Sequence, residues 1–148
     1  MSKIFQAFLT GIFFTFLLDF LLFLGIFLNY IKPLEINLYY NILFADNQNI
    51  IIFLFFSVFI GYLITYIKNV KITFSIISLV FLIVTSGLIP NIGYKIGELL
   101  LMKKNVTYKN NRYTFVGDAY YIGRDKITFY DYDLKKIILL KKKELKNF

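Results

Sequence analysis

Three apolar runs, residues 4–28, 50–67 and 72–89, fill most of the chain up to Pro90, and none of them contains a lysine or arginine. A helix needs roughly 20 apolar residues to cross a hydrocarbon core of about 30 Å, and each run approaches or exceeds that length. A water-soluble domain has no way to cover three such stretches. Composition points the same way. Hydrophobic residues make up 58% of the 148 positions, above the roughly 45–50% usual in globular domains, and the mean hydropathy is +0.65. The expected fold class is therefore membrane α-helical, with three transmembrane helices followed by a small C-terminal antiparallel β meander.

The first run exceeds the ~7–15 apolar residues of a cleaved signal peptide. It leads into Asn29-Tyr30-Ile31-Lys32-Pro33, so it reads as a retained span. The excess of Ile, Phe, Tyr, Asn and Lys over Ala, Gly, Pro and Arg is what an AT-rich coding sequence would impose, and neither the aromatic nor the lysine content is by itself a functional signal. Cysteine and histidine are both absent, which removes disulfides, thiolate catalysis, imidazole acid–base chemistry and the common zinc and haem ligands. The chain contains no phosphate-binding glycine loop, nucleophile elbow or dinucleotide fingerprint. Asp118, Asp125, Asp131 and Asp133 fall mostly in expected turns, where aspartate serves the backbone, and they are too scattered for a calcium loop. The expectation is a protein that is not an enzyme, with no cofactor and no metal.

Two units are expected, a transmembrane helical unit over 1–102 and a small basic β-rich appendage over 103–148. The first helix should end where Asn29, Lys32 and Pro33 arrive together, because proline disfavours helix in its predecessor and lysine is costly in hydrocarbon. Residues 34–44 suit either an interfacial helix with tyrosines at headgroup depth or an ordinary packed loop. Lys68-Asn69-Val70-Lys71 is so short a connection that the second and third spans are expected as antiparallel neighbours. Pro90 and Asn91 should end the third span, with a short amphipathic helix over 92–102 in which Gly93 and Gly97 each cost about 1 kcal/mol relative to alanine. From Lys103 the apolar period shortens towards two. Strands are expected at 106–109, 112–116, 119–122, 126–132 and 136–140, separated by turn residues that include Gly117-Asp118. At this size the sheet has little core of its own and should lean on the helices, a second copy or a partner.

Asp19 is the one carboxylate inside a span. Such a group costs about 2.5–3.5 kcal/mol at a helix centre on insertion scales, so it should face the bundle interior. Ala7, Gly11, Thr15 and Asp19 recur every four residues and share one stripe of the first helix. Ser57, Gly61 and Thr65 do the same on the second, and Ser75, Ser78, Thr85 and Ser86 give the third a polar edge. Small residues at this spacing let helix backbones approach closely, so Ala7, Gly11, Gly61 and Thr65 are expected packing positions. Depth counted from the span ends puts Asp19 level with Ser57 and between Ser78 and Thr85. With Thr15, those hydroxyls form an expected intramembrane polar cluster. Asp19 is then either a hydrogen-bonding pin between helices or a group that binds a proton or cation on a path through the membrane.

Lysines and arginines near the span ends divide almost evenly, Lys3, Lys68 and Lys71 on one side against Lys32, Lys95, Lys103 and Lys104 on the other. Arg112, Arg124 and Lys141-Lys142-Lys143 tip the count towards a cytoplasmic carboxyl terminus in a multi-pass protein of the cell membrane. The lysine-rich tail suits a solvated edge or anionic headgroups. Its interleaved aromatics fit the packing face of a sheet better than base stacking, so no nucleic acid is expected. The expected partners are the lipid bilayer and further copies or subunits of a membrane complex. The leading expectation is an interaction, scaffold or accessory subunit; the alternative is a small oligomeric channel, ion carrier or holin-like pore using Asp19.

Overall fold

A computed structural model describes residues 2–146. Among these residues there are five α-helices followed by a four-stranded antiparallel sheet: α1 (Lys3–Ile26), α2 (Tyr40–Asn47), α3 (Ile50–Tyr66), α4 (Val70–Thr85), α5 (Pro90–Leu101), β1 (Lys103–Lys109), β2 (Thr114–Ile122), β3 (Lys126–Asp131) and β4 (Lys136–Lys141). α1 continues without a break through a π-helical turn, Phe27–Ile31, and α4 continues through a 3₁₀ turn, Ser86–Leu88. Lys3–Ile31 and Val70–Leu88 are long and apolar enough to cross a membrane. α2 and α3, bent by 85° to one another, make a third candidate if counted as one span.

Side chains inside the apolar runs explain why these segments are helices and why so little of them is covered. Phe13 is 65% exposed, Phe55 65%, Phe74 71% and Leu79 58%, and α4 buries no residue fully. Ser2, Asn49 and Asn69 cap the starts of α1, α3 and α4, each accepting a bond from a backbone N–H of the first turn, where four donors otherwise lack partners. Pro90 sits at the first position of α5, where its missing N–H costs nothing. It starts a helix as well as ending the preceding span.

The helix expected around 34–44 lies further along the chain, at Tyr40–Asn47. Glu35 has a φ of 53° and stops the turn that follows α1, so the chain runs extended to Tyr39 before it coils again. In the sheet, four strands stand where five were expected. Gly117-Asp118 continues β2 instead of turning, because a side chain at Gly117 would come within 1.9 Å of the Tyr130 carbonyl oxygen. The missing side chain serves cross-strand approach.

The sheet is a simple meander in the order β1-β2-β3-β4. The segment after β4 folds back across the open edge: the Lys146 N–H donates to the Lys109 carbonyl at the end of β1 at 2.8 Å. Tyr108, Ala119, Ile127, Phe129 and Leu140 fill the enclosed side. A second core joins the helices to the sheet, with Phe23, Ile26, Tyr30, Ile31, Ile36, Leu43, Leu101 and Tyr121 in contact.

Candidate functional site

The closest helix pair is α1 against α3, and the small residues explain it. Ala7, Gly11, Thr15, Ser57 and Gly61 are all buried. A Cβ on Gly11 would lie 1.7 Å from the Ser57 carbonyl oxygen, and one on Gly61 would lie 2.1 Å from that of Ala7. The backbones therefore touch directly. Thr65, one turn beyond Gly61, is half-buried.

This crossing sets the register, and the register moves Asp19 away from its expected partners. The helices run antiparallel, so two turns up α1 from Gly11 to Asp19 correspond to two turns back along α3 from Ser57 to its start at Asn49. Asp19 thus meets the α2–α3 corner, where Gln48 Nε2 donates to Asp19 Oδ2 at 3.1 Å. Ser57 Oγ donates instead to the Phe53 carbonyl at 2.8 Å. Thr85 Oγ1 donates to Phe81 and Leu82, at 2.8 and 3.2 Å. Ser78 lines a cleft between α1, α3 and α4. The expected cluster of Asp19 with Ser57, Ser78 and Thr85 is therefore not formed. Counting from span ends failed because Lys3–Ile31 holds 29 residues against 17 in α3, so α1 overshoots α3 by several turns. Thr15 Oγ1, one turn below Asp19, is buried without a hydrogen-bond partner among the described residues.

α3 and α4 do not pack along their length either. Thr73 Oγ1 donates to the Leu63 carbonyl at 3.2 Å near the connecting turn, and beyond that point the two diverge. The gap is a cleft of about 360 Å³ walled by Phe14, Leu18, Phe59, Leu63, Ile77 and Phe81, among others. The short connection correctly implies a reversal of direction but not a sustained contact. α4 instead leans its far end on α1 and α5: Asn29 Nδ2 donates to the carbonyls of Gly87 and Leu88, at 3.0 and 3.1 Å, satisfying acceptors that a helix end leaves open.

Three further contacts seat the sheet on the helices. β2 carries a bulge between Ala119 and Tyr121, which takes Tyr120 out of the ladder, and the fully buried Tyr30 donates its hydroxyl to the Tyr120 carbonyl at 2.9 Å. Arg124, in the β2–β3 turn, grips Asp46 of α2 with Nε at 3.1 and 2.9 Å from the two carboxylate oxygens and a second nitrogen at 2.5 Å. This paired geometry holds the Asp46 carboxyl below the usual carboxylate range and raises Arg124. Lys104 pairs with Glu98 of α5, which raises the lysine. On the side of the sheet that faces the helices, Leu139 borders a pocket shared with Ile36, Leu38 and Ile42, and beyond the helix contact Ile137 is 45% and Leu139 60% exposed.

Several of these residues escaped the reading of the sequence. Helix propensity marks Gly93 and Gly97 only as a cost to α5, yet a Cβ on Gly97 would meet the Tyr30 ring at 2.4 Å and one on Gly93 the Gly87 carbonyl at 2.2 Å. Their four-residue spacing is the same signal that marked Gly11. Gln48, Asp46 and Arg124 carried no local signal, since their pairing joins positions far apart in the chain. Comparison with protein-family models, curated proteins and solved structures yields no match.

Proposed function

We propose that this chain is a multi-pass protein of the cell membrane that crosses the bilayer three times, with α1, α3 and α4, and serves as a non-enzymatic interaction or accessory subunit of a membrane complex. α2 then lies in the interface, and the β unit stands on the cytoplasmic side. The exposed apolar side chains of the three helices support lipid contact, because soluble monomers rarely expose apolar patches beyond a few hundred Å². The observation that carries the reading is the seating of the sheet. Tyr30–Tyr120, Asp46–Arg124 and Lys104–Glu98 fasten it to helices at three places, so the sheet and its exposed apolar residues are held in one orientation at the membrane surface. A tethered tail would need none of these contacts. Photo-cross-linkers at Ile137 and Leu139, the exposed apolar residues of β4, should capture a discrete protein in intact cells. A monomer in mild detergent, with no adduct from native membranes, overturns the proposal.

A second reading, a small oligomeric channel or ion carrier, draws support from the half-buried Asp19 carboxylate bonded to Gln48 and from the unpartnered Thr15 hydroxyl one turn away. Proteoliposomes that show no conductance or proton leak at any protein density eliminate it.

A further inference from the structure

The cleft between α1, α3 and α4 has walls unlike those of the helix crossing beside it. The α1–α3 seam is built from Ala7, Gly11, Ser57 and Gly61, which let backbones touch. The cleft is built from phenylalanine, leucine and isoleucine, with Ser78 the one polar side chain among its lining residues. Helices dock in membranes through small residues, so bulky walls around about 360 Å³ suit a flexible apolar chain better than another helix.

Its depth fits one leaflet. Ile76 lies five residues and Leu82 eleven residues beyond Lys71 on the same helix, or about 7 and 16 Å of rise at 1.5 Å per residue. The deep end thus reaches roughly the middle of a hydrocarbon core about 30 Å thick. Charge marks the opposite, shallow end. Lys68 and Lys71 flank the α3–α4 turn with Lys3 on the same side of the helices, and no Asp or Glu occurs between residues 2 and 18 or between 47 and 97. Basic residues near anionic headgroups attract them by about 1 kcal/mol each, and here they lie at the end of the helices opposite the sheet, which Tyr30 holds.

We infer that this cleft holds an acyl chain of an anionic phospholipid whose phosphate is met by Lys68 and Lys71. The inference rests on the membrane-spanning reading of α1, α3 and α4. The lipid fills the gap where α4 parts from α3, supplying contacts that α4 lacks within the chain, and it makes the protein sensitive to the lipid composition of one leaflet.

The test uses the full chain in phosphatidylcholine nanodiscs containing a trace of phosphatidylglycerol with a photoreactive group on its acyl chain, the adducts being mapped by mass spectrometry. Adducts should concentrate on cleft residues such as Leu18, Ile77 and Phe81 over outward ones such as Leu79 and Ile83. Unlabelled phosphatidylglycerol should compete several-fold better than phosphatidylcholine. Lys68→Gln with Lys71→Gln should erase that preference while leaving the sites of labelling in place. Ser78→Phe should lower cleft labelling to the level of the outward residues with helical circular dichroism unchanged, and Ile77→Phe serves if that variant does not fold. Labelling spread evenly around the helices overturns the inference, as does a Phe81→Cys chain that forms a disulfide dimer through the cleft, which makes the occupant a second copy. Failure of the protein to enter nanodiscs would instead overturn the membrane reading, a distinct result.

Discussion

Replacing Gly11 with alanine adds one methyl group to the α1–α3 crossing, and the backbone dictates where it goes. The new carbon would lie 1.7 Å from the Ser57 carbonyl oxygen, half the 3.4 Å at which ordinary contact begins, and 3.0 Å from the Gly61 nitrogen. Both neighbours are backbone, so no side chain can swing aside and the helices must part. Opening a packed contact by 0.5–1 Å already forfeits about a quarter to a half of its attraction. Overpacked sites typically lose about 1–3 kcal/mol, with this clash at the severe end. Against that, alanine in place of glycine favours a helix by up to about 1 kcal/mol. The net effect should be a loss of about 1–2 kcal/mol, or roughly a 5–30-fold drop in the ratio of folded to unfolded protein. Gly87 supplies the control. It is also buried, but its added carbon would meet only Ile96 Cδ1 at 3.6 Å, so Gly87→Ala should be neutral or stabilising by up to about 1 kcal/mol. Gly11→Ala with Gly61→Ala should cost less than the sum of the two, since both open one contact. Unfolding by dodecyl sulfate in mild detergent, followed by circular dichroism, measures the parent, the three single variants and the double. A Gly11→Ala chain as stable as the parent, or a Gly87→Ala chain equally damaged, refutes the reasoning.

Tyr30→Phe should weaken the seating of the sheet by about 1 kcal/mol, the usual net contribution of one hydrogen bond. Hydrogen exchange should then quicken around the Tyr120 bulge, and unchanged protection there would show that the hydroxyl contributes nothing. Arg124 depresses the folded-state pKa of Asp46, so the stability this pair supplies is complete above the unfolded value of about 3.9 and is lost as the pH falls through the lower folded one. Proteolysis at the β2–β3 turn should accelerate in acid and in high salt; an identical acid response in Asp46→Asn would break the link to this pair. Asp19→Asn keeps an acceptor for Gln48, whereas Asp19→Leu leaves a polar amide without its partner, worth about 1–3 kcal/mol if it stays buried. Equal stability of the two variants in detergent would mean that the Asp19–Gln48 bond is not structural, and ion flux abolished by Asp19→Asn alone would favour the carrier reading.

Elements governed by near neighbours could be read from the chain alone. The apolar runs become helices because each residue's backbone bonds close within four residues, and the boundaries at Asn49, Asn69 and Pro90 follow from caps that act locally. The small-residue spacing that selected Ala7, Gly11 and Gly61 reports which face admits a neighbouring backbone. The β period after Lys103 likewise reflects alternation within each strand, although Gly117 misled because a glycine in a turn and a glycine under a crossing strand look identical in sequence.

Register between elements was another matter. A stripe of small residues fixes which faces meet but leaves sliding along the axis open, and a slide of two turns exchanges Ser57 for Gln48 as the partner of Asp19. That slide is decided by α1 running on to Ile31, and by the far end of that helix having to meet Gly87, Gly97 and Tyr120 at once. Composition and periodicity thus determined the helix and strand content and the apolar surface of this protein. Only the tertiary structure decided that Asp19 sits at a corner, that α4 stands apart from α3, and that the sheet is fastened to the helices, because each depends on lengths and contacts summed over the whole chain.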